Sequence, residues 1–521
     1  MSGPHPQTRD AAVDWWKQQV ETARLVIPRS EQPAGPGRAL LLRGGYAIEA
    51  AGGQAWILKT PDREMDQDLC LRNYWSLVQA ILTNYRPAAL ERESAVQLYL
   101  EDVTPPKRIR IRHGSSQSNY AFEICNGLDV QVMPGEVILE QTKRIDVDGA
   151  TLLVDRPERT LFALPLTTLR EHLDDVLIWL RSLVLSRPAL EAEWVRLPRP
   201  LVIRRLAEMS RDAGNARVAE QLDDLLATHH GQHISRARTG VGVNIVIPQV
   251  ISQARSTSPW LARHEVTFRR FFERMREELT SHIMGPRRVE RTRLVEQARA
   301  AKAHDAFHST TIEGYRIAPE EVSAVIAGRA VGGHDPEDVK ARMAVKGYSV
   351  AFDRCVSVIN QTGEGLEITE SPIQQLYQDL FSPSVEAGIV DADALRGWRV
   401  RPAYLRGARY VPPSPDKVPQ LMHQHISLVN ELTEPALVRA ALVHLDFVTI
   451  HPFPDGNGRI ARLLMDLCLV TAGFPWITIR TDDRARYFAD LEAATIDEDP
   501  IPFARFIAGY VTEAMDHFGE T

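Results

Sequence analysis

The run His451-Pro452-Phe453-Pro454-Asp455-Gly456-Asn457-Gly458-Arg459-Ile460-Ala461-Arg462 gathers an imidazole, a carboxylate, a glycine-rich turn and two guanidiniums. His451 is the group there that can take a proton near neutral pH. Asp455 suits a magnesium ion, which takes one or two carboxylates together with phosphate oxygens. Gly456, Asn457 and Gly458 can adopt dihedrals that turn successive backbone N–H groups into one concavity, a nest for an anion. Arg459 and Arg462 share one face of a helical turn, where a guanidinium can grip phosphate oxygens bidentately. A base, a metal acid, a nest and two arginines describe transfer of a group from a nucleotide phosphate. A lone Gly-Asn-Gly turn is usually only a turn, but here every position of a compact loop fits one chemistry.

Two helices must hold this loop. Upstream, 436–450 repeats apolar residues at helical spacing (Leu437, Ala440, Ala441, Leu445, Val448) without Gly or Pro. Downstream, 460–470 resumes the pattern with Leu463, Leu464 and Leu467, so the second helix is expected to begin near Gly458. Its first turn adds unpaired N–H groups and the positive end of its dipole to the nest.

The run resembles the signature of the Fic (Fic/Doc) family, H-P-F-x-[DE]-G-N-G-R-x-x-R, with every fixed position present, and Ala440-Ala441-Leu442-Val443-His444-Leu445-Asp446-Phe447 is similar to that family's lead-in helix. The resemblance implies an all-helical catalytic core. It also implies transfer of AMP from ATP, with magnesium (or manganese), to a serine, threonine or tyrosine hydroxyl of a target protein. By position it makes His451 the base and Asp455 the metal ligand. Gly456, Asn457, Gly458 and Arg459 then bind the nucleotide phosphates and Arg462 grips the γ-phosphate, while Phe453 is a core anchor.

Ser309-Thr310-Thr311-Ile312-Glu313-Gly314 closes a helix expected over 287–314, with Gly314 in the helix-stop position. A Glu at a helix C-terminus is disfavoured by the dipole and calls for another reason. The segment resembles the Fic inhibitory motif [ST]-x-x-x-E-[GN], in which Ser309, Glu313 and Gly314 fill the fixed positions. That resemblance implies a bidentate pair between Glu313 and Arg462 that keeps the arginine from ATP. An ordinary surface contact for Glu313 is the alternative.

Between these motifs, 397–404 and 409–413 form two short runs around Leu405-Arg406-Gly407-Ala408 and read as a hairpin. It resembles the Fic flap, a strand edge that registers an extended target by main-chain pairing. Arg401, Pro402, Ala403, Tyr404, Arg409 and Tyr410 are its docking residues on that reading, and a purely structural hairpin is the alternative. Arg484, Arg486 and Tyr487 follow the motif, where the family tends to close over the nucleotide.

The remaining chain gives the catalytic part its context. At 521 residues two to four domains are expected, and 44% hydrophobic with 25% charged residues is ordinary for a globular protein. A formal charge of −7 argues against a protein that is basic throughout, without excluding a local basic face. Cys70, Cys125, Cys355 and Cys468 show no metal-ligand spacing and read as reduced thiols. No apolar signal core or bilayer-long run is present, so a cytoplasmic protein without a membrane partner is expected.

The fold class expected is multidomain, an all-α core preceded by an α/β region. Residues 1–65 read as a helix (10–26) plus a hairpin from the runs 39–43, 46–48 and 55–58, compatible with a winged-helix-like module or a scaffold subdomain. Residues 66–188 are mixed α/β, with a helix over 73–85 and strands at 107–112, 130–139 and 145–154. The strand Lys107-Arg108-Ile109-Arg110-Ile111-Arg112 alternates strictly, giving it a basic outer face. Together with Glu93-Ser94-Ala95-Val96 and the helix opening Pro157-Glu158-Arg159-Thr160-Leu161-Phe162, this region resembles the antitoxin-like AbiEi family of regulators. That implies contact with DNA or an antitoxin-type partner through the arginines; a solvated strand face is the alternative. Residues 189–260 form a connector with a helix over 203–227, then His229, His230 and His233, which lack an acid or Cys partner and read as a solvated loop. Residues 261–521 are the helical catalytic domain.

The expected function is an autoinhibited protein adenylyltransferase, with a homodimer admitted. The alternatives are a DNA-binding or antitoxin-like regulator whose helical half senses nucleotide, and an enzyme that transfers UMP, phosphate or phosphocholine or removes AMP.

Overall fold

Gly35, Pro36 and three leucines set the conformation of the opening module. The computed structural model describes residues 9–60, 66–125, 127–230, 258–280, 289–329, 335–362, 365–432 and 435–519. After helix α1 (Arg9–Glu21) and strand β1 (Val26–Pro28), the run 39–43 is not the expected hairpin arm but part of helix α2 (Pro36–Arg43). Three adjacent leucines carry no period, whereas Pro36 at the first helical turn after Gly35, at φ +63°, favours a helix start. Strands β2 (Ala47–Ala50) and β3 (Ala55–Leu58) then complete an antiparallel sheet in the order β1-β3-β2. Ala12, Ile27, Leu41, Trp56 and Leu58 bury its core.

This module belongs to the first of two compact units, Met1–Arg263 with Tyr404–Val411; the second is His264–Ala403 with Pro412–Thr521. The first unit continues with α3 (Asp66–Arg72), α4 (Tyr74–Asn84), β4 (Ala88–Leu90) and α5 (Arg92–Tyr99). Strands β5 (Arg108–His113), β6 (Tyr120–Cys125), β7 (Leu128–Pro134), β8 (Thr142–Val147) and β9 (Ala150–Asp155) follow, and the six-stranded order is β6-β7-β5-β4-β9-β8. The region expected as one strand over 145–154 is thus two strands. Asp148-Gly149, at φ +48° and +79°, makes the two-residue turn between them.

The arginine-rich strand forms but does not present the expected basic outer face. β5 lies inside the sheet between β7 and β4, so its side chains meet acids from neighbouring elements. Arg112 is buried and donates to both carboxylate oxygens of Asp155, one at 2.8 Å. Arg110 pairs with Glu93, and Arg108, still exposed, lies 3.8 Å from Asp129. Burial pushes the Asp155 carboxyl up to about 6, against the pull of Arg112.

Helices α6 (Pro157–Ala163), α7 (Leu166–Glu171), α8 (Leu173–Ser182), α9 (Arg187–Arg196), α10 (Pro200–Asp212) and α11 (Ala216–His230) close the described part of this unit. The single helix expected over 203–227 is broken at Gly214, φ +87°. Asn215 fixes the break: its amide donates to the carbonyls of Leu180 and Leu183 and its carbonyl accepts from Val218 N. His229 lies on α11 against Glu191 rather than in a loop, while His233 and the apolar stretch 241–251 lie outside the described residues.

The second unit is helical, as its periodicity indicates. Helix α12 (Pro259–Leu279), which belongs to this unit from His264 on, is followed by α13 (Arg291–Ile312), α14 (Pro319–Ile326), α15 (Pro336–Gln361), α16 (Glu370–Glu386), α17 (Val418–Glu431), α18 (Ala436–Ile450), α19 (Asn457–Thr471), α20 (Arg484–Ile496) and α21 (Ile501–Gly519). Gly347 lets α15 and α16 touch backbone to backbone, since a Cβ there would sit 1.8 Å from the Leu380 carbonyl oxygen. That approach places Tyr377, Leu380 and Phe381 of α16 beneath the loop between α18 and α19. Among the described residues no helix is long and apolar enough to cross a membrane.

The buried Arg112–Asp155 pair yields a stability test. Removing one partner, by Asp155→Asn or Arg112→Met, should cost about 3–5 kcal/mol, while Arg112→Met combined with Asp155→Leu should recover most of that loss. Denaturant unfolding of the variants measures it, and unchanged midpoints for the single variants would count against the pair's role.

Candidate active site

His451 ends α18 in the left-handed region, at φ +53°, and so turns the chain sharply into the loop. Its Nδ1 lies 3.3 Å from the Val448 carbonyl and donates to it, leaving Nε2 with a free lone pair. Burial pushes its pKa down to about 4, and the nearby charge of Arg399 acts in the same direction. The imidazole is therefore neutral at pH 7 and able to accept a proton.

The loop is held open from within. Asn457 is buried, and its side chain is committed to one backbone unit: Oδ1 accepts from Phe453 N at 2.9 Å and Nδ2 donates to Phe453 O at 2.8 Å. That side-chain amide therefore shapes the loop. Phe453 stacks on Tyr377 with ring centroids 3.9 Å apart. Gly456 caps α19 at φ +80°, where a Cβ would come within 2.8 Å of Leu380. Asp455 accepts from Gly456 N at 2.6 Å and is largely exposed.

The two arginines flank one point. Arg462 is only 3% exposed and fully engaged: Nε donates to Ser309 Oγ at 2.8 Å, Nη2 to Ser309 O at 2.9 Å and to Glu313 Oε1 at 2.7 Å, and Nη1 to Tyr487 Oη at 3.3 Å. Arg459 is buried between the rings of Tyr315 and Phe381, at 5.2 and 5.3 Å, with Nη2 3.5 Å from Asp455. Its Nε and Nη1 have no hydrogen-bond partner.

Glu313 is the anion at that point. It caps the C-terminus of α13, followed by Gly314 at φ +97°, and its carboxylate reaches the first turn of α19. A Cβ on Gly458 would lie 2.3 Å from Glu313 Oε1, so the carboxylate rests directly on the glycine backbone. Burial alone would raise its pKa, but Arg462 and Arg459 outweigh this and hold it below the usual range. Glu313 is thus disfavoured by its own helix dipole and favoured by that of α19. The Glu313–Arg462 contact forms as expected, except that it uses one carboxylate oxygen; Ser309 and Tyr487 take the donors a bidentate pair would need.

Tyr487 and Arg484, named in the sequence only by their place after the motif, and Arg399, not singled out there, take specific positions. Tyr487 is buried, with its hydroxyl also 2.8 Å from His444 Nε2, and Arg484 donates to the Ile312 carbonyl at the end of α13. Arg399 is buried against the carbonyls of Ile450 and His451. The hairpin expected around 405–408 does not form, since no strand occurs between residues 397 and 413. Arg401, Pro402 and Ala403 belong to the second unit, while Tyr404, Arg409 and Tyr410 belong to the first, where Tyr404 donates to Asp148 at 2.6 Å. Backbone carbonyls of this segment are held by Arg399 in place of a strand partner.

The donors fit a polyphosphate. Arg462 and a helix N-terminus without side chains at Gly456 and Gly458 meet where Glu313 now lies, and the charge of Arg459 acts on that same carboxylate. Asp455 offers one exposed carboxylate, which suits magnesium held mainly by phosphates and water. No cluster of three or more His, Cys, Asp or Glu that could hold a metal occurs among the described residues.

Residues 367–469 match the model of the Fic/DOC family. The chain is similar to protein adenylyltransferase fic-1 of Caenorhabditis elegans, 27% identical over 216 residues that make up 41% of this chain and 40% of that protein. It is 32% identical over 221 residues to protein adenylyltransferase Fic of Drosophila virilis, covering 40% of this chain and 41% of that protein. The chain thus spans about two fifths of the length of the curated relatives it matches. A solved structure of part of Fic-1 from C. elegans is 20% identical with a TM-score of 0.37, covering 64% of this chain and 91% of that one.

Because burial disfavours its charged form, His451 should stay neutral from about pH 8 down to about pH 5 and take up a proton only near its depressed pKa of about 4. NMR of ¹³C-labelled histidines, assigned with His451→Ala, reads this directly. A midpoint near that of a free imidazole would contradict the buried environment.

Proposed function

We propose that this chain is a protein adenylyltransferase that moves AMP from ATP to a hydroxyl side chain of another protein, with its own Glu313 as the brake. The observation that carries the proposal is the carboxylate of Glu313 seated between Arg462 and the glycine backbone at the start of α19. That is an anion site, filled at rest by a group of the chain itself. The names of the relatives support the same reading.

In the reaction, the γ-phosphate takes the place of Glu313 on Arg462, and the amides at the start of α19 with Arg459 hold the remaining phosphates. Asp455 would hold magnesium, which supplies charge neutralisation on the phosphates. His451 Nε2 accepts the proton of the target hydroxyl as that oxygen forms a bond to the α-phosphorus. The bond from the α-phosphorus to the bridging oxygen breaks, and pyrophosphate leaves. A positioned base of this kind contributes about 10²–10⁴-fold, the remainder coming from orientation and electrostatics. The segment after Arg399 is our candidate for aligning the target.

A DNA-binding regulator is the second reading. The strand order β1-β3-β2 beside α1 and α2 is the feature that favours it, being compatible with a winged helix. Against it, Arg24 and Arg38 of that module are paired with Glu31 and Glu49, and the arginines of β5 face acids. A phosphate backbone calls for unneutralised cations on one face.

Glu313→Gly should raise incorporation of labelled AMP from ATP by about 10- to 100-fold, since one charge-assisted hydrogen bond contributes about 1.5–3 kcal/mol. Adding His451→Ala should abolish it. Parallel reactions with UTP, GTP and CTP, read by intact-mass spectrometry, identify the donor. Equal labelling of wild type and Glu313→Gly would remove the brake, and salt-dependent duplex binding without any transfer would favour the regulator.

A further inference from the structure

Arg399 is 3% exposed, yet it belongs to no recognised motif of the loop. Its backbone N donates to the Pro452 carbonyl at 2.8 Å. Its guanidinium then collects carbonyls from three separate segments. Nε donates to His451 O at 2.7 Å, and Nη2 lies 3.5 Å from Ile450 O. Nη1 donates to Arg401 O at 3.1 Å, and Nη2 also donates to Pro413 O.

Each contact answers a local need. A helix leaves its last carbonyls without partners, and a cation at that end is favoured by the dipole. The chain at the end of α18 is also turned into the left-handed region at His451, a conformation that a residue with a Cβ keeps only when its surroundings fix it. Arg401 and Pro413 lie on the two arms of the segment 400–413, which has no strand ladder of its own. One planar group with five donors therefore ties the base's backbone to both arms. A lysine, a single point with three donors, cannot span that set.

We propose that Arg399 is a positioning residue for the transfer step, locking the backbone of His451 to those of Arg401 and Pro413 in one frame so that an incoming hydroxyl and the imidazole share a register. The proposal rests on the transferase reading of this site. It assigns Arg399 no contact with ATP, so its loss should slow the reaction without weakening nucleotide binding.

The test uses the full chain carrying Glu313→Gly, with Arg399→Gln and Arg399→Lys added separately. The rate constant for AMP incorporation at saturating ATP should fall about 100-fold for Arg399→Gln and about 10-fold for Arg399→Lys. ATP affinity, measured by calorimetry in the His451→Ala background, should change by less than about 3-fold. A rate constant unchanged in Arg399→Lys and Arg399→Gln would overturn the proposal. So would a fall that merely tracks lost ATP binding and a lowered unfolding temperature. The His451 ring resonance supplies a readout independent of turnover: it should shift in Arg399→Lys, which keeps the charge and is the milder variant for folding, and an unmoved resonance would overturn the proposal. If the Glu313→Gly parent transfers nothing, the transferase reading fails while that resonance still decides the role of Arg399.

Discussion

A guanidinium buried as deeply as that of Arg462 must always have an anion. Taking such a charge out of water is costly, and leaving it unpaired costs more than either of its paired states. At rest the chain supplies the anion itself, through Glu313, and adds Ser309 and Tyr487 to use the other donors. Activation on this reading is an exchange of one anion for another at a fixed cation. The arrangement explains why the partners of Arg462 come from two helices besides its own, α13 and α20: no edge of the guanidinium can be left open to water.

The loop 451–462 is legible because nearly everything it gathers is local. Base, nest, metal acid and arginines lie within one turn and its flanking helices, and residue type plus spacing determines where they point. Glu313 was legible only as a short motif, and its single-oxygen contact was not, since that depends on Ser309 and Tyr487 competing for the same donors. Arg399 gives no signal of its own and Arg484 only its place after the loop, because an arginine that binds backbone carbonyls leaves no pattern in sequence. Asn457 is legible as part of the loop, but its side-chain partner is not: nothing local says that Phe453 turns both its N–H and its carbonyl toward the amide.

The first unit failed differently. The Asp148-Gly149 dipeptide is a turn signal present in the chain, whereas α2 carries only three leucines and no period to decide between helix and strand. The alternation of β5 was read correctly as a strand, but alternation does not say whether a strand is at an edge or in the interior. Placed between β7 and β4, the same arginines that look basic in sequence become partners of Asp155 and Glu93. In β5, charge in the chain became structure, and little of it is left for a polyanion.

On the proposed function, the route by which Glu313 leaves Arg462 can be decided by magnitude. Helix α13 is tied along its length: Gln297 exchanges hydrogen bonds with the backbone of Trp476, Asp305 accepts from Trp476 and Tyr348, His308 accepts from Thr481 N, and Arg484 caps Ile312. At about 1 kcal/mol each, with apolar burial of Leu294, Ala298 and Ile312 added, undocking the helix costs more than about 5 kcal/mol and is rare without an outside force. Moving Glu313 alone costs one charge-assisted bond, about 1.5–3 kcal/mol, and a phosphate arriving on Arg462 restores it. Ser309 can keep its two bonds to Arg462 throughout. The lower route is therefore a swing of one side chain about a helix that stays in place, which makes release sensitive to whatever holds the Glu313–Gly314 turn.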